Sequence, residues 1–340
     1  MSIAQALAEF LRFKPSEDIA ALRAVCSEFN QHIYVDIENL TLDAIWNCDL
    51  RKLHDFLLRT KSNDINLKCS QYNTSKVSSF FQRGGFAIPQ ITSFDLSKST
   101  PASISTINHL PPNIKTLNLS YQHMSFLTAF NIPHIKSLTV SNCQINNKIF
   151  MIMVNNMTHL EHLNISSNHV YDLNCMKAFS KLKSLTSLNL SNNAICDGSM
   201  EVLGPSLKCM KLKHLDLSMN VLDCSSIPYL NELKSLETLE ISDCYINTEA
   251  ISLLNIGTLT KLDLSKNAAC NHIGLTRLLK NCTRLQYLDL SACDLLRDRS
   301  NQSMSRFITT LTDLTDLRVL KLQGCSLPDE FMTPVLKKLI

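Results

Sequence analysis

The chain has 340 residues, with 33 lysines and arginines against 30 acids and a formal charge of +3. A single packed core rarely grows past about 250–300 residues, so this length asks for several domains or a stacked array. The near balance of charge speaks against a nucleic-acid surface, which needs a concentrated basic patch, and 7 glycines leave little material for phosphate-cradling loops or flexible linkers.

The opening residues, Met1-Ser2-Ile3-Ala4-Gln5, lack the basic start and apolar run of a secretion signal. No apolar stretch reaches the roughly 18 residues that cross a bilayer. The 13 cysteines are scattered singly, with no CxxC spacing. That pattern fits a reduced, intracellular chain and gives no ground to expect a metal or another cofactor.

Residues 1–33 carry two helical patterns. Ile3, Leu7, Phe10 and Leu11 share one face. Ser16 can cap a second helix, with Glu17 and Asp18 in its first turn and Ile19, Leu22, Cys26, Phe29 and Ile33 on its apolar face. Phe10-Leu11, followed by Asp18-Ile19-Ala20-Ala21-Leu22-Arg23-Ala24-Val25-Cys26 and Phe29, resembles the second half of an F-box. That module recruits the Skp1 subunit of cullin ubiquitin ligases. The resemblance implies a Skp1 contact through Phe10, Leu11, Ile19, Leu22, Val25 and Phe29. The F-box's usual opening, a Leu-Pro pair with an acid, has no counterpart before Pro15. Read for themselves, the same residues also suit a helical cap on a stacked array.

From about residue 34 one pattern returns, L-x-x-L-x-L-S-x-(N or C)-x-(I or L). Its clearest copy is Leu185-Thr186-Ser187-Leu188-Asn189-Leu190-Ser191-Asn192-Asn193-Ala194-Ile195. The central apolar pairs are Phe94/Leu96, Leu117/Leu119, Leu138/Val140, Leu163/Ile165, Leu188/Leu190, Leu215/Leu217, Leu239/Ile241, Leu262/Leu264, Leu288/Leu290 and Leu320/Leu322. Fainter pairs at Val35/Ile37 and Ile65/Leu67 extend the ladder toward the N-terminus. Alternation around each pair predicts a short strand with its leucines inward, which only stacking on neighbours can bury. The Asn or Cys rung falls where the chain leaves the strand. A buried Asn amide there can satisfy turn backbone groups. Cys143, Cys244, Cys293 and Cys325 on the same rung are expected to act as small, weakly polar hydrophobes. Helices are expected from Asp197 to Leu203, over Thr248–Leu254 and over Ile273–Leu279.

This ladder resembles the leucine-rich repeat, over residues 34–327. The resemblance implies an α/β, right-handed leucine-rich-repeat solenoid, a horseshoe with a parallel concave sheet and convex helices. Residues 328–340 suit a C-terminal cap helix. With residues 1–33 included, the chain resembles F-box/leucine-rich-repeat proteins. Its Asn, Ser and Lys content is similar to that of leucine-rich-repeat effectors secreted by intracellular bacterial pathogens.

Binding is expected on the exposed sheet face. Between the paired leucines lie Asp216, Glu240, Asp263 and Asp289, an acidic row with neighbours about 5 Å apart. Like charges so close repel, and a basic partner would relieve them. Beside the row, His162, His214, Met219, Tyr287 and Tyr121 offer bulky anchors. The histidines, two repeats apart, are too distant to share a zinc ion. A column of serines, Ser97 to Ser291, reads as turn hydrogen bonding, since none stands on a hydrolase elbow. Residues 297–303 form a polar insertion, a surface loop or an addition to the binding face.

These features predict a protein–protein interaction module, binding one partner as an inhibitor or regulator on its concave face. It would be monomeric alone, bound to neither membrane nor nucleic acid, and cytoplasmic, in a host cytosol if it is a secreted bacterial effector. The alternative is an F-box substrate receptor of a Skp1–cullin ligase. No Ser/His/Asp set, phosphate loop or metal spacing points to an enzyme.

Overall fold

The computed structural model describes residues 40–43, 65–68, 91–97, 110, 112–124, 130, 132–296, 301–325, 327 and 333. The F-box or cap segment, the Val35/Ile37 pair, positions 297–300 and nearly all of the C-terminal cap segment lie outside these residues. Two compact units divide the chain, Met1–Cys143 and Gln144–Ile340.

The first unit holds five parallel strands, β1 Leu40–Asp43, β2 Ile65–Lys68, β3 Ile91–Asp95, β4 Thr116–Asn118 and β5 Ser137–Thr139, each paired with the next in sequence. The strand beside β2 is therefore not centred on Val35/Ile37. Leu40 and Leu42 stand in register with Ile65 and Leu67, because Leu-Thr-Leu-Asp alternates in the same phase as Ile-Asn-Leu-Lys.

The second unit stacks seven parallel strands in chain order, β6 His162–Asn164, β7 Ser187–Asn189, β8 His214–Asp216, β9 Thr238–Glu240, β10 Lys261–Asp263, β11 Tyr287–Asp289 and β12 Val319–Lys321. The expected central leucines, Leu163 through Leu320, pair strand by strand. Leu163 to Leu288 and their partners Ile165 to Leu290 are buried. Each such side chain contributes about 1.5–3 kcal/mol by leaving water, which a strand of three residues could not secure alone.

Between strands run α1 Asn147–Asn156, α2 Leu173–Ala178, α3 Asp197–Lys208, α4 Ile227–Asn231, α5 Thr248–Leu253, α6 His272–Leu279 and α7 Asn301–Asp313. Asn146, Asp172, Asn247 and Asn271 cap α1, α2, α5 and α6, their side chains accepting first-turn N–H groups. The helix begun at Asp197 runs on to Lys208 despite Pro205. The end of the expected 297–303 loop is helix instead. Met304, Phe307, Ile308 and Leu311 give α7 one buried face, and buried His272 bonds Leu295 O before the insertion and Ser303 Oγ at its end.

The rungs lock the turns. Asn220 donates to Leu190 O and Leu217 O and accepts from the N–H groups of Asn193 and Ile195. Asn267 repeats this with Ile241 O, Leu264 O and the N–H groups of Cys244 and Ile246. The cysteines are more polar than expected. Cys143, Cys244, Cys293 and Cys325 donate to the carbonyls of Leu119, Leu217, Leu264 and Leu290 in the preceding repeat. A thiol cannot accept as a carboxamide does, so the preceding turn turns to backbone, Leu222 N–H bonding Cys244 O at 3.1 Å. Asn220→Leu should therefore cost about 3 kcal/mol or more by orphaning several buried groups. Asn220→Cys should cost clearly less. Urea midpoints of the two variants test the ranking, and equal losses would contradict this division of roles.

Candidate protein-binding face

The column between the paired leucines has a local cause. At the end of the strand, Oδ1 of Asp95, Asn118, Asn164, Asn189, Asp216, Asp263 and Asp289 accepts the N–H of the serine two residues on, at 2.8 to 3.0 Å. These are Asx turns, for which Asp and Asn serve equally. The serine column is part of the same device, chiefly through its backbone N–H rather than its hydroxyl. The hydroxyls of Ser120 and Ser191 also reach the Asx oxygen, and Ser242 and Ser265 bond each other at 2.8 Å.

The second carboxylate oxygen is left for the surface. Asp216 Oδ2 accepts from Asn189 Nδ2 at 2.8 Å. Lys261 Nζ meets Glu240 Oε1 at 2.7 Å, and Lys321 Nζ meets Asp289 Oδ2 at 3.4 Å. Tyr287 lies between those lysines, 5.4 Å from Lys261 and 5.2 Å from Lys321 to the ring centre, with its hydroxyl 3.3 Å from Asp289 Oδ2. Such cation–ring contacts add about 0.5–1 kcal/mol each when exposed. The acidic row is thus partly answered from within. Glu240 and Asp289 have cations, whereas Asp216 and Asp263 have none at ion-pair distance among the described residues.

Burial raises the Asp216 carboxyl above its usual range, with the neighbouring Glu240 charge adding to it against the bonds from Ser218 and Asn189. For Asp289, burial also pushes upward, but the Ser291 bonds and Lys321 together hold the carboxyl below its usual range. Asp289 is 7% exposed, so it belongs to the floor of the face rather than to its surface.

His162 and His214 stand exposed at the starts of β6 and β8, separated by Ser187 of β7. Met219 and Tyr121 are not on strands. Each follows its column serine with a positive φ, 58° and 64°. Lys321 is absent from the sequence-derived set. Its signal was present, a cation in the acid column next to Asp289.

A family model described as "Leucine Rich repeat" matches residues 156–172, 181–204 and 208–223. Those residues are leucine-rich repeats, and the strands and helices around them have the leucine-rich-repeat fold. No curated protein matches it by sequence. Among solved structures it is similar to an internalin from Listeria monocytogenes, at 17% identity and a TM-score of 0.50, over 92% of this chain and 93% of that one. A chain of the TLR13–ssRNA13 complex aligns at 20% identity and a TM-score of 0.46, over 86% of this chain and 44% of that one. The internalin likeness is one of fold. Leucine-rich repeats are typically protein-interaction scaffolds.

In the repeats, burial pushes the Cys143 and Cys244 thiols up to about 12, which suits rung donors and not nucleophiles. Among the described residues no cluster of three or more His, Cys, Asp or Glu is placed to hold a metal ion, and no helix is long and apolar enough to cross a membrane.

The two acids predict opposite responses to pH. Asp216→Asn keeps the Asx turn, as neighbouring Asn164 and Asn189 do, and should leave the fold as stable as the intact protein or more stable at pH 7. The raised native carboxyl favours the protonated fold, so intact protein should lose ground against this variant as pH rises through the folded pKa. Asp289→Asn should do the reverse. The lowered carboxyl stabilises the intact fold above the ordinary value of 3.8, an advantage lost on acidification. Urea unfolding of both variants between pH 3 and pH 7 checks the signs.

Proposed function

We propose that this protein binds a protein partner on the sheet face of its second unit, over about residues 214–323, as a non-catalytic regulator or inhibitor. The observation that carries the reading is the ordered ladder around Tyr287. An aromatic ring fixed between Lys261 and Lys321, with Glu240 and Asp289 beneath, presents apolar area and both charges with little side-chain entropy left to lose. Unneutralised Asp216 and Asp263, with exposed His162 and His214, supply polar discrimination at its border. Met219 adjoins this face from the turn. The serine column supports the non-catalytic reading, because its groups close turns and bond one another. Free thiols at nine described positions, among them Cys175, Cys244, Cys270 and Cys282, support a reducing, intracellular setting.

A photo-reactive phenylalanine derivative at position 287 should form an adduct in lysate that the same group at Glu201, on helix α3, does not. Tyr287→Ala should weaken the captured complex by about 2 kcal/mol, as an interface anchor does. Adducts from position 201 alone would move binding off the sheet.

A second reading rests on the F-box resemblance of Phe10-Leu11 and residues 18–33. It makes the chain a substrate receptor with Skp1 on the N-terminal segment. Purified Skp1 should then be retained by the intact chain and not by Leu22→Asp. Retention of neither leaves the cap as the role of those residues.

A further inference from the structure

We propose that the turn ridge around Met219, Val221 and Tyr245 is a docking surface for a cationic, apolar segment of another protein. This surface borders the sheet face at Met219 and is built from turn residues rather than strand residues.

The ridge begins with apolar area that folding does not use. Met219, Val221 and Tyr245 are 55%, 53% and 75% exposed. Backbone bonds set them side by side. Val221 N–H bonds Ile195 O at 2.8 Å, Leu222 N–H bonds Cys244 O at 3.1 Å, and Met219 N–H bonds Ser242 O at 2.8 Å. Adjacent repeats lie about 4.8 Å apart, so these side chains share one strip. Met219 and Tyr245 also hold positive φ, 58° and 60°, where a bulky side chain is disfavoured. Equivalent turn positions carry Ser167, Asn192 and Ala194. Large apolar groups at such positions add nothing to the core and incur local strain, which fits contact with a partner.

The charge around the strip selects the occupant. Asp223 N–H bonds Asp197 Oδ1, to which Ser226 Oγ also donates. The intervening thiol of Cys224 is raised by burial first and then by the charges of Glu249, Asp223 and Asp197, so three carboxylates act at one point. Asp243 follows in the next turn, where its N–H bonds Ser265 O. None of these four acids takes part in the ion pairs of the described residues, which join Lys208 to Glu232, Lys213 to Glu237, Lys261 to Glu240 and Lys321 to Asp289. An apolar strip bordered by four acids, with Lys266 the cation of the next turn, fits a segment alternating Lys or Arg with Leu or aromatic residues, and it disfavours an acidic one.

Three fluorescein-labelled peptides test this, sharing one Leu and Tyr framework spaced by Lys, Ser or Glu and titrated with the full chain by fluorescence polarisation. The Lys peptide should bind about tenfold or more tighter than the Ser peptide, and added salt should weaken it. The Glu peptide should not bind. Val221→Ser with Tyr245→Ser should cost at least about tenfold in Lys-peptide affinity. Asp243→Lys with Glu249→Lys should turn the preference toward the Glu peptide. Lys266 holds the turn position equivalent to Asp243, so that exchange is tolerated by the fold, and melting curves verify each variant. Tyr287→Ala should leave Lys-peptide binding unchanged, whatever it does to sheet-face capture. Equal binding of all three peptides, full binding by the ridge variant, or loss through Tyr287→Ala alone would each overturn the proposal. So would a concentration-dependent doubling of mass abolished by the ridge variant, which would seat a second copy there instead.

Discussion

The buried rung amide is the interaction on which the rest of the second unit depends. A strand of three residues makes too few ladder bonds to fix a register, and its inward leucine is non-directional. Asn220 supplies direction. Its amide ties the carbonyls of Leu190 and Leu217, and its oxygen takes two N–H groups of the preceding turn. Each repeat is thereby positioned against its neighbour to hydrogen-bond precision, and the leucines fall into one column. Where the rung is Cys244 or Cys293, the thiol does part of the work and backbone does the remainder. Register is therefore held by a mixture of strong and weak rungs rather than by uniform repetition.

The same turns decide what the surface can show. Most strand ends close with an Asx oxygen two residues before the receiving N–H, followed by a residue with positive φ, while at Glu240 the Ser242 N–H bonds Ser218 Oγ instead. The first requirement places Asp or Asn on the sheet face. The second places Met219 or Lys266 on its rim. The Asx position is half-buried and does its structural work through a single oxygen, whereas Met219 and Lys266 are exposed and serve the turn through backbone, so folding leaves their side chains largely unconstrained.

Much of this was legible in the sequence. The spacing of Leu163 through Leu320 specified the strands and their register, because a period-two pair with a polar rung admits little else. Two features were not. Lys321 reads as an interruption of an acidic column, and only the register beside Asp289 and Tyr287 shows that it closes an ion pair and a ring contact. Tyr245 and Val221 fall outside the leucine pattern, and their alignment depends on turns whose backbone conformation no local residue preference announces. The start of α7 was missed because a polar run, Asn301-Gln302-Ser303, precedes its apolar face, and the helix is secured from a distance by His272.

The distinction between Asp and Asn in the face column is where fold and function separate. Asn118, Asn164 and Asn189 close their turns as well as Asp216, Asp263 and Asp289 do, within the same range of distances. The turn therefore gives no reason for charge. At Asp216 charge is even unfavourable, since burial and Glu240 both disfavour the ionised form. Yet acids occupy every such position from β8 to β11, and cations answer only Glu240 and Asp289. The turn device is indifferent to charge, and folding opposes that charge at Asp216 while Lys321 and the Ser291 bonds favour it at Asp289. Because the ion-paired acids alternate with the others, Asp216 and Asp263 carry carboxylates without an ion pair about two repeat spacings apart, roughly 10 Å. Such an array can discriminate where a partner's cations lie as well as how many it has.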